Sequence, residues 1–213
     1  MKIVLAAIEP ELADAWERSF ESFENVVIHR GSILEVGVDA VVSPANSFGF
    51  LDGGLDRRYS EHFGWEVQER LQQLIRNRHH GELLVGAAEI VETGNSRIPF
   101  LIAAPTMRVP MILDQTVNPY LATRAALLLV RNAEFAEGSL AGEQVADAVK
   151  SIALPGMGTG VGRVPFAVCA RQMLAAVEEV VLGKAIFPRT WSDAQERHQK
   201  LSSDTLRDLQ RPW

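Results

Sequence analysis

Three features of the 213-residue chain predict an α/β layered domain carrying a short helical tail. Short β-branched runs alternate with longer amphipathic runs through residue 183. The two most glycine-marked turns, Ala45–Asp56 and Pro155–Gly162, each follow a strand-like run, where open α/β sheets place their ligands. Residues 184–213 are more polar, hold two of the four tryptophans and read as an appended helical extension.

Taken in order, the apolar run Ile3–Ile8 reads as a strand. "PELADAWERSFESF" opens on Pro10 and repeats Leu12, Trp16 and Phe20 at helical spacing. "NVVIHRG" and "VDAVVSPAN" are β-branched runs that end in turn residues, so both read as strands. "GGLDRRYSEHFG" predicts a helix started by Gly53-Gly54. "WEVQERLQQLIRNRHHG" predicts another, with Trp65, Val67, Leu71, Leu74 and Ile75 mostly on one face and Gly81 as its stop. "ELLVGAAEIVETG" and "IPFLIAAPTM" read as a strand pair joined near Gly94-Asn95. A long helix follows, with Asn118 as the expected cap and Pro119 in its first position. "GSLAGEQVADAVK" reads as a loop and a short helix, "SIALPGMGTGVGR" as a strand running into glycines, and "VPFAVCARQMLAAVEEVVLG" as the last helix of the domain. A helix is expected from Trp191, with Trp191 and Trp213 expected to pack on the domain and contact with a partner as the alternative.

The composition narrows the classes. A 47% hydrophobic content supplies a sizeable core. A formal charge of −6 disfavours broad nucleic-acid binding, which needs a basic surface, yet leaves room for a local anion pocket built from backbone N–H groups. The single cysteine, Cys169, excludes a disulfide framework within the chain and a Cys-rich metal site; it sits in an apolar helix and reads as core. Acids follow the first apolar run at once, so no signal peptide or membrane span is expected and a cytoplasmic location is the default.

The glycine turns are where chemistry is expected. Glycine lets backbone approach a ligand closely and lets successive N–H groups converge. A helix after each turn would add the partial positive charge of its N-terminus. Two such turns facing one cleft suit a diphosphate. A Gly-Gly step at a helix start also suits an ordinary turn. Four glycines at 156, 158, 160 and 162 are harder to explain as a connector, because each carries a large entropy cost. Neither turn is a P-loop, since no Gly-Lys-Ser/Thr ending follows, and the second misses the dinucleotide G-x-G-x-x-G spacing.

These pieces, in this order, resemble the macrodomains. "VVIHRGSI" is similar to that family's strand and adenine-side turn, "VDAVVSPAN" to its strand ending in Ala-Asn, "GGLD" to its Gly-Gly-Val-Asp, and "IALPGMGTGVG" to its second phosphate loop. "APTMRVP" looks like a variant of the strand end that lines the family's cleft. The resemblance spans roughly residues 25–182. It implies a three-layer α/β/α sandwich with a mixed central sheet, an ADP-ribose-binding domain over residues 1–183, and a ligand that is ADP-ribose or an ADP-ribosylated target, with no cofactor and no metal. Carried over position by position, Ser32 and Ile33 would lie beside the adenine. Ala45, Gly53, Gly54 and Leu55 would approach the diphosphate from one side. Pro155, Gly156, Met157, Gly158, Thr159, Gly160, Val161 and Gly162 would wrap the other. Asn46 would hold the distal ribose, and Asp56 would orient or activate water.

Two departures from the family pattern bear on this. Ser32 stands where an acid usually accepts from the adenine amino group, which removes charge assistance of about 1 kcal/mol. Gly162 stands where an aromatic usually covers the distal ribose, and Phe48 or Phe50 is the candidate replacement. An ADP-ribosyl hydrolase and a non-catalytic ADP-ribose reader both remain open. Asp52 is the rival carboxylate to Asp56; Arg57-Arg58 suit a solvated helix face better than a phosphate contact, and Arg108 follows a strand end from which it could reach the cleft. His29 reads as structural, and His79-His80 as a helix end with no ligand cluster beside it.

Overall fold

The computed structural model describes residues 1–207. Six strands form one mixed sheet in the order β2-β1-β6-β3-β5-β4. They are β1 (Lys2–Ala7), β2 (Val26–Arg30), β3 (Ala40–Ser43), β4 (Glu89–Glu92), β5 (Phe100–Ala103) and β6 (Ser151–Leu154). All neighbours are parallel except β4 and β5. Parallel strands covered on both faces have no polar side to present, which explains why β3 and β5 are buried at every residue and apolar except at Ser43.

The side-chain period of two divides these strands between two cores. Ile3, Leu5, Ala40, Val42, Phe100, Ile102, Ile152 and Leu154 face one core with Trp16, Ala126 and Met173. Val4, Ala6, Val41, Leu101, Ala103 and Ala153 face the other with Tyr59, Leu71 and Leu74. The first core is closed by α1 (Pro10–Phe20), α4 (Asn118–Asn132) and α6 (Phe166–Val180), and α5 (Val145–Ala148) packs on α4. The second core is closed by α2 (Gly54–Phe63) and α3 (Glu66–His79). The result is the expected three-layer α/β/α sandwich.

Helix starts follow local chemistry, with one difference. Pro10 opens α1, where its missing N–H costs nothing. Asn118 is not the cap of α4 but its first residue, with Val117 before it. The Asn118 side chain instead donates to the Thr106 carbonyl at 2.8 Å, while Thr116 Oγ1 receives the Asn118 N–H at 3.4 Å. A tertiary partner has therefore outcompeted the local cap, and the segment after β5 is tied to α4. The strand expected across Glu82–Gly94 is also shorter, pairing only over Glu89–Glu92. Its first residues serve another purpose, since the Leu83 N–H donates to the Ser47 carbonyl at 2.8 Å and its side chain is fully buried.

The tail forms α7 (Trp191–Lys200), capped by Thr190, whose Oγ1 accepts from the Asp193 N–H at 3.1 Å. None of its residues is buried, and an Arg171–Asp204 ion pair at 2.9 Å links the following segment to α6. Trp191 is 73% exposed, so the expectation that it packs on the domain is corrected: α7 presents no buried stripe to receive it. Trp213 lies outside the described residues.

Candidate active-site cleft

Because five strands are parallel in sense, the carboxyl ends of β1, β2, β3, β5 and β6 open on the same edge of the sheet. A cleft of about 440 Å³ lies across these ends. Gly31, Ser32 and Ile33 line it after β2, Ile8 and Glu9 after β1, and Pro155, Gly156 and Gly158–Gly162 after β6. Pro44–Asn46, Phe50 and Asp52–Asp56 line it after β3, and Thr106, Met107 and Pro110 after β5. The two glycine turns therefore share one hollow, brought together by the pairing of β3 with β6.

Of the residues singled out in the sequence, Ser32, Ile33, Ala45, Asn46, Gly53, Gly54, Leu55 and Asp56 line the cleft. So do Pro155, Gly156, Gly158, Thr159, Gly160, Val161 and Gly162. Met157 does not. Its side chain is fully buried in the first core, and its carbonyl accepts from Cys169 Sγ at 3.4 Å. A large apolar side chain in this turn is better placed against α6 than against solvent. Phe50, Asp52 and Arg58 also line the cleft, whereas Arg57 pairs with Glu61 at 2.8 Å. Arg108 is held outside it by Glu82, at 2.6 and 3.1 Å, and stacks over Phe48, with 5.2 Å from guanidinium carbon to ring centroid. His79 and Arg78 both meet Glu89, at 2.7 and 2.9 Å. Among the described residues no three His, Cys, Asp or Glu side chains are grouped so as to hold a metal ion.

The first glycine turn ends on α2, whose opening N–H groups have no partner within the helix and face the cleft at Gly53–Asp56. The second differs from the expected arrangement. Helix α6 begins only at Phe166, and the intervening chain folds back, with Arg163 N–H on the Gly160 carbonyl at 3.0 Å and Val164 N–H on Gly158 at 3.1 Å. The α6 N-terminus is thus absent from the lining, and α2 alone of this pair aims its positive end at the cleft. Close packing explains Gly156 and Gly162 in this turn, though not Gly160. A Cβ on Gly156 would lie 2.4 Å from Thr159 Oγ1 and 2.6 Å from Leu12 Cδ2.

Asp56 sits in the first turn of α2, half-buried, with Oδ1 accepting from the Ser43 hydroxyl at 2.6 Å. Burial pushes its carboxyl up to about 7; the Ser43 hydrogen bond opposes this, and the negative charge of Asp52 adds to it. Ser43 Oγ in turn accepts from the Ala45 N–H at 3.3 Å, so one buried hydroxyl joins the end of β3 to the carboxylate. Ser43→Ala is expected to raise the Asp56 midpoint by about one pH unit or more, read from the side-chain carbon in an NMR titration. An unmoved midpoint would contradict this account of the carboxylate.

Asn46 has less freedom than its sequence context suggests. Its Oδ1 accepts from Phe48 N–H at 3.1 Å and Phe50 N–H at 3.3 Å, and its Nδ2 donates to the Phe50 carbonyl at 2.9 Å. The amide shapes the first turn from within and keeps one N–H uncommitted. Ser32 caps the short 3-10 turn at Ile33–Glu35, its hydroxyl accepting from Leu34 N–H at 3.3 Å. Ala6, Ile8 and Glu9 are lining residues that sequence reasoning missed. Their only signal is a place at the end of a strand or just after it, and sheet order alone reveals that β1 is an inner strand between β2 and β6.

Fold and cleft together define an α/β/α domain with an open cleft at its strand ends. The family model for the Macro domain matches residues 42–173. An uncharacterized protein of Aquifex aeolicus is 34% identical over 156 residues, covering 73% of this chain and 81% of its own. One from Aeropyrum pernix is 30% identical over 164 residues, covering 77% and 75%. Among solved structures, the Oceanobacillus iheyensis macrodomain with ADP superposes with a TM-score of 0.57 at 22% identity, covering 73% of this chain and 76% of that one. The macrodomain of Mycobacterium tuberculosis DarG gives 0.55 at 17% identity, covering 70% and 87%. The chain belongs to the macrodomain family.

Proposed function

We propose that the protein binds ADP-ribose in this cleft and hydrolyses ADP-ribose from a modified target without a metal ion. The observation that carries the reading is the Asp56 carboxylate, bound by the Ser43 hydroxyl at 2.6 Å and lining one hollow with two backbone-rich turns, with burial pushing its titration up to about 7. In this reading the base lies at the β2 end, against Ile33 and the Ser32 hydroxyl, which retains a proton and a lone pair for the base edge. The diphosphate lies between Gly53–Leu55 and Gly158–Gly162, and the distal ribose lies near Asn46 and Asp56. Solved macrodomains of Oceanobacillus iheyensis with ADPR and with ADP support a ligand of this class.

Hydrolysis needs attack at the anomeric carbon as charge develops toward an oxocarbenium ion. Ionised Asp56 takes a proton from the attacking water, whose oxygen forms the new bond while the departing group leaves with the old bonding pair. A carboxylate titrating near neutrality is matched to that task. Asn46 offers its uncommitted N–H to a ribose hydroxyl and fixes the angle of attack.

A second reading, binding without chemistry, is favoured by one observation: the Asn46 amide already satisfies most of its capacity inside its own turn. Calorimetric titration with ADP-ribose tests the ligand shared by both readings. One-to-one binding is expected, and no heat at millimolar ligand would reject both.

A further inference from the structure

We infer that the protein's substrate is an ADP-ribosylated polypeptide whose modified residue is flanked by apolar side chains, received on the strap Val109–Ile112 at the mouth of the cleft. The inference rests on the ADP-ribose reading of the cleft.

Sheet order gives the cleft a direction. It starts at the β2 turn, crosses the ends of β1 and β6, and finishes at β3 and β5. With the base at the first end, whatever hangs from the distal ribose leaves by the other. The strap lies there. Before it, Asn46 and Met107 form a β-bridge, and the Ser47 N–H donates to the Arg108 carbonyl at 3.2 Å. After it, the Leu113 N–H donates to the Gly162 carbonyl at 2.7 Å, and the Leu113 side chain is fully buried. The strap is therefore pinned to the first glycine turn at one end and to the second at the other.

Its four residues, Val109, Pro110, Met111 and Ile112, are all apolar and all exposed. Val109, Met111 and Ile112 are 44, 46 and 47% exposed. The inner wall repeats this character, since Pro110 lines the cleft together with Phe50, 49% exposed, and Val161, 61% exposed. A lone exposed apolar residue needs no explanation, but a connected set around one opening marks a contact surface. Its continuity with the cleft identifies the occupant as the body of the molecule that carries ADP-ribose.

Charge argues against a polynucleotide or an acidic peptide as that body, and the apolar strap selects apolar flanks. The strap has no ionisable side chain, and the preceding Arg108 is engaged by Glu82. The cleft lining carries Glu9, Asp52, Asp56 and Arg58, and the turns adjoining the strap add Asp114 and Arg163, so acids outnumber bases four to two. A polynucleotide would meet no cationic track here, on a chain of net charge −6. An acidic peptide would meet none either. Apolar side chains would remove water from the strap's apolar surface, the favourable transfer that acidic flanks cannot supply.

The test compares three probes that carry ADP-ribose through a non-hydrolysable linkage: a peptide with Leu and Val flanks, one with Asp and Glu flanks, and a short oligonucleotide. Each is titrated, beside free ADP-ribose, into the wild type and a Met111→Ser/Ile112→Ser variant. Both substituted residues lie outside the cleft lining. The expected result is tightest binding of the apolar-flanked peptide and a loss of about tenfold or more for that probe in the variant, with free ADP-ribose unchanged. Equal affinity for all probes, preference for the oligonucleotide or the acidic peptide, or an unaffected variant would overturn the inference while leaving the ADP-ribose reading intact. Failure of free ADP-ribose to bind the wild type would overturn both.

Discussion

Asp56→Asn is expected to slow release of ADP-ribose from a modified peptide about 100-fold or more, while ADP-ribose affinity changes only a few-fold. Asn keeps the shape of the side chain and can still accept from Ser43 but cannot take a proton from water. The wild-type rate is expected to rise with pH and level off above about 7, where Asp56 is ionised, and the variant should lack that limb. The same shift has a consequence for stability. Its folded value, about 7, lies above the ordinary 3.8, so across that window the folded state holds a proton that the unfolded state has lost. Stability therefore falls as pH rises from 3.8 to about 7, and the full cost is present above it. Asp56→Asn removes that cost, so the variant should melt higher than the wild type at about pH 8, the gap closing as pH falls toward about 4. Equal release rates for variant and wild type would reject Asp56 as the base. No release from either, on a panel of linkages, would leave the non-catalytic binder.

Gly162→Ala is expected to weaken ADP-ribose binding tenfold or more and to destabilise the fold by roughly 1–3 kcal/mol. The added Cβ would stand 2.5 Å from the Gly158 carbonyl oxygen and 2.9 Å from Leu113 Cδ1. The first obstacle is backbone and cannot rotate aside, so the second turn must move. That movement pulls on the Leu113–Gly162 hydrogen bond and hence on the strap. Gly160→Ala is the control for stability, because a Cβ there meets nothing within 4 Å. Thermal melting and calorimetry read both variants. Wild-type melting and affinity in Gly162→Ala would show that the second turn does not depend on this close approach.

Much of the fold is legible in local pattern. The strands that form β3, β5 and β6 are short apolar runs, and α3 shows its buried stripe of Val67, Leu71, Leu74 and Ile75 directly. Differences arise where a long-range partner competes with a local one. Asn118 leaves the cap for the Thr106 carbonyl, and Met157 leaves the ligand side for the core. The chain after Gly162 folds back before α6 can begin. Trp191 errs the other way: an aromatic expected to pack finds no surface.

By itself the sequence determined the alternation of elements, the two glycine turns and the family, because period, turn chemistry and motif order are properties of neighbouring residues. The tertiary structure alone decided that those turns share a cleft, since Ala40 and Ile152 must first become register partners across more than a hundred residues. It alone decided that Asp56 is desolvated near neutrality, that the Asn46 amide is held by its own turn, and that Val109–Ile112 bridges both rims. Burial, carboxyl titration and hydrogen-bond competition depend on what surrounds a group in space, and chain order does not contain that.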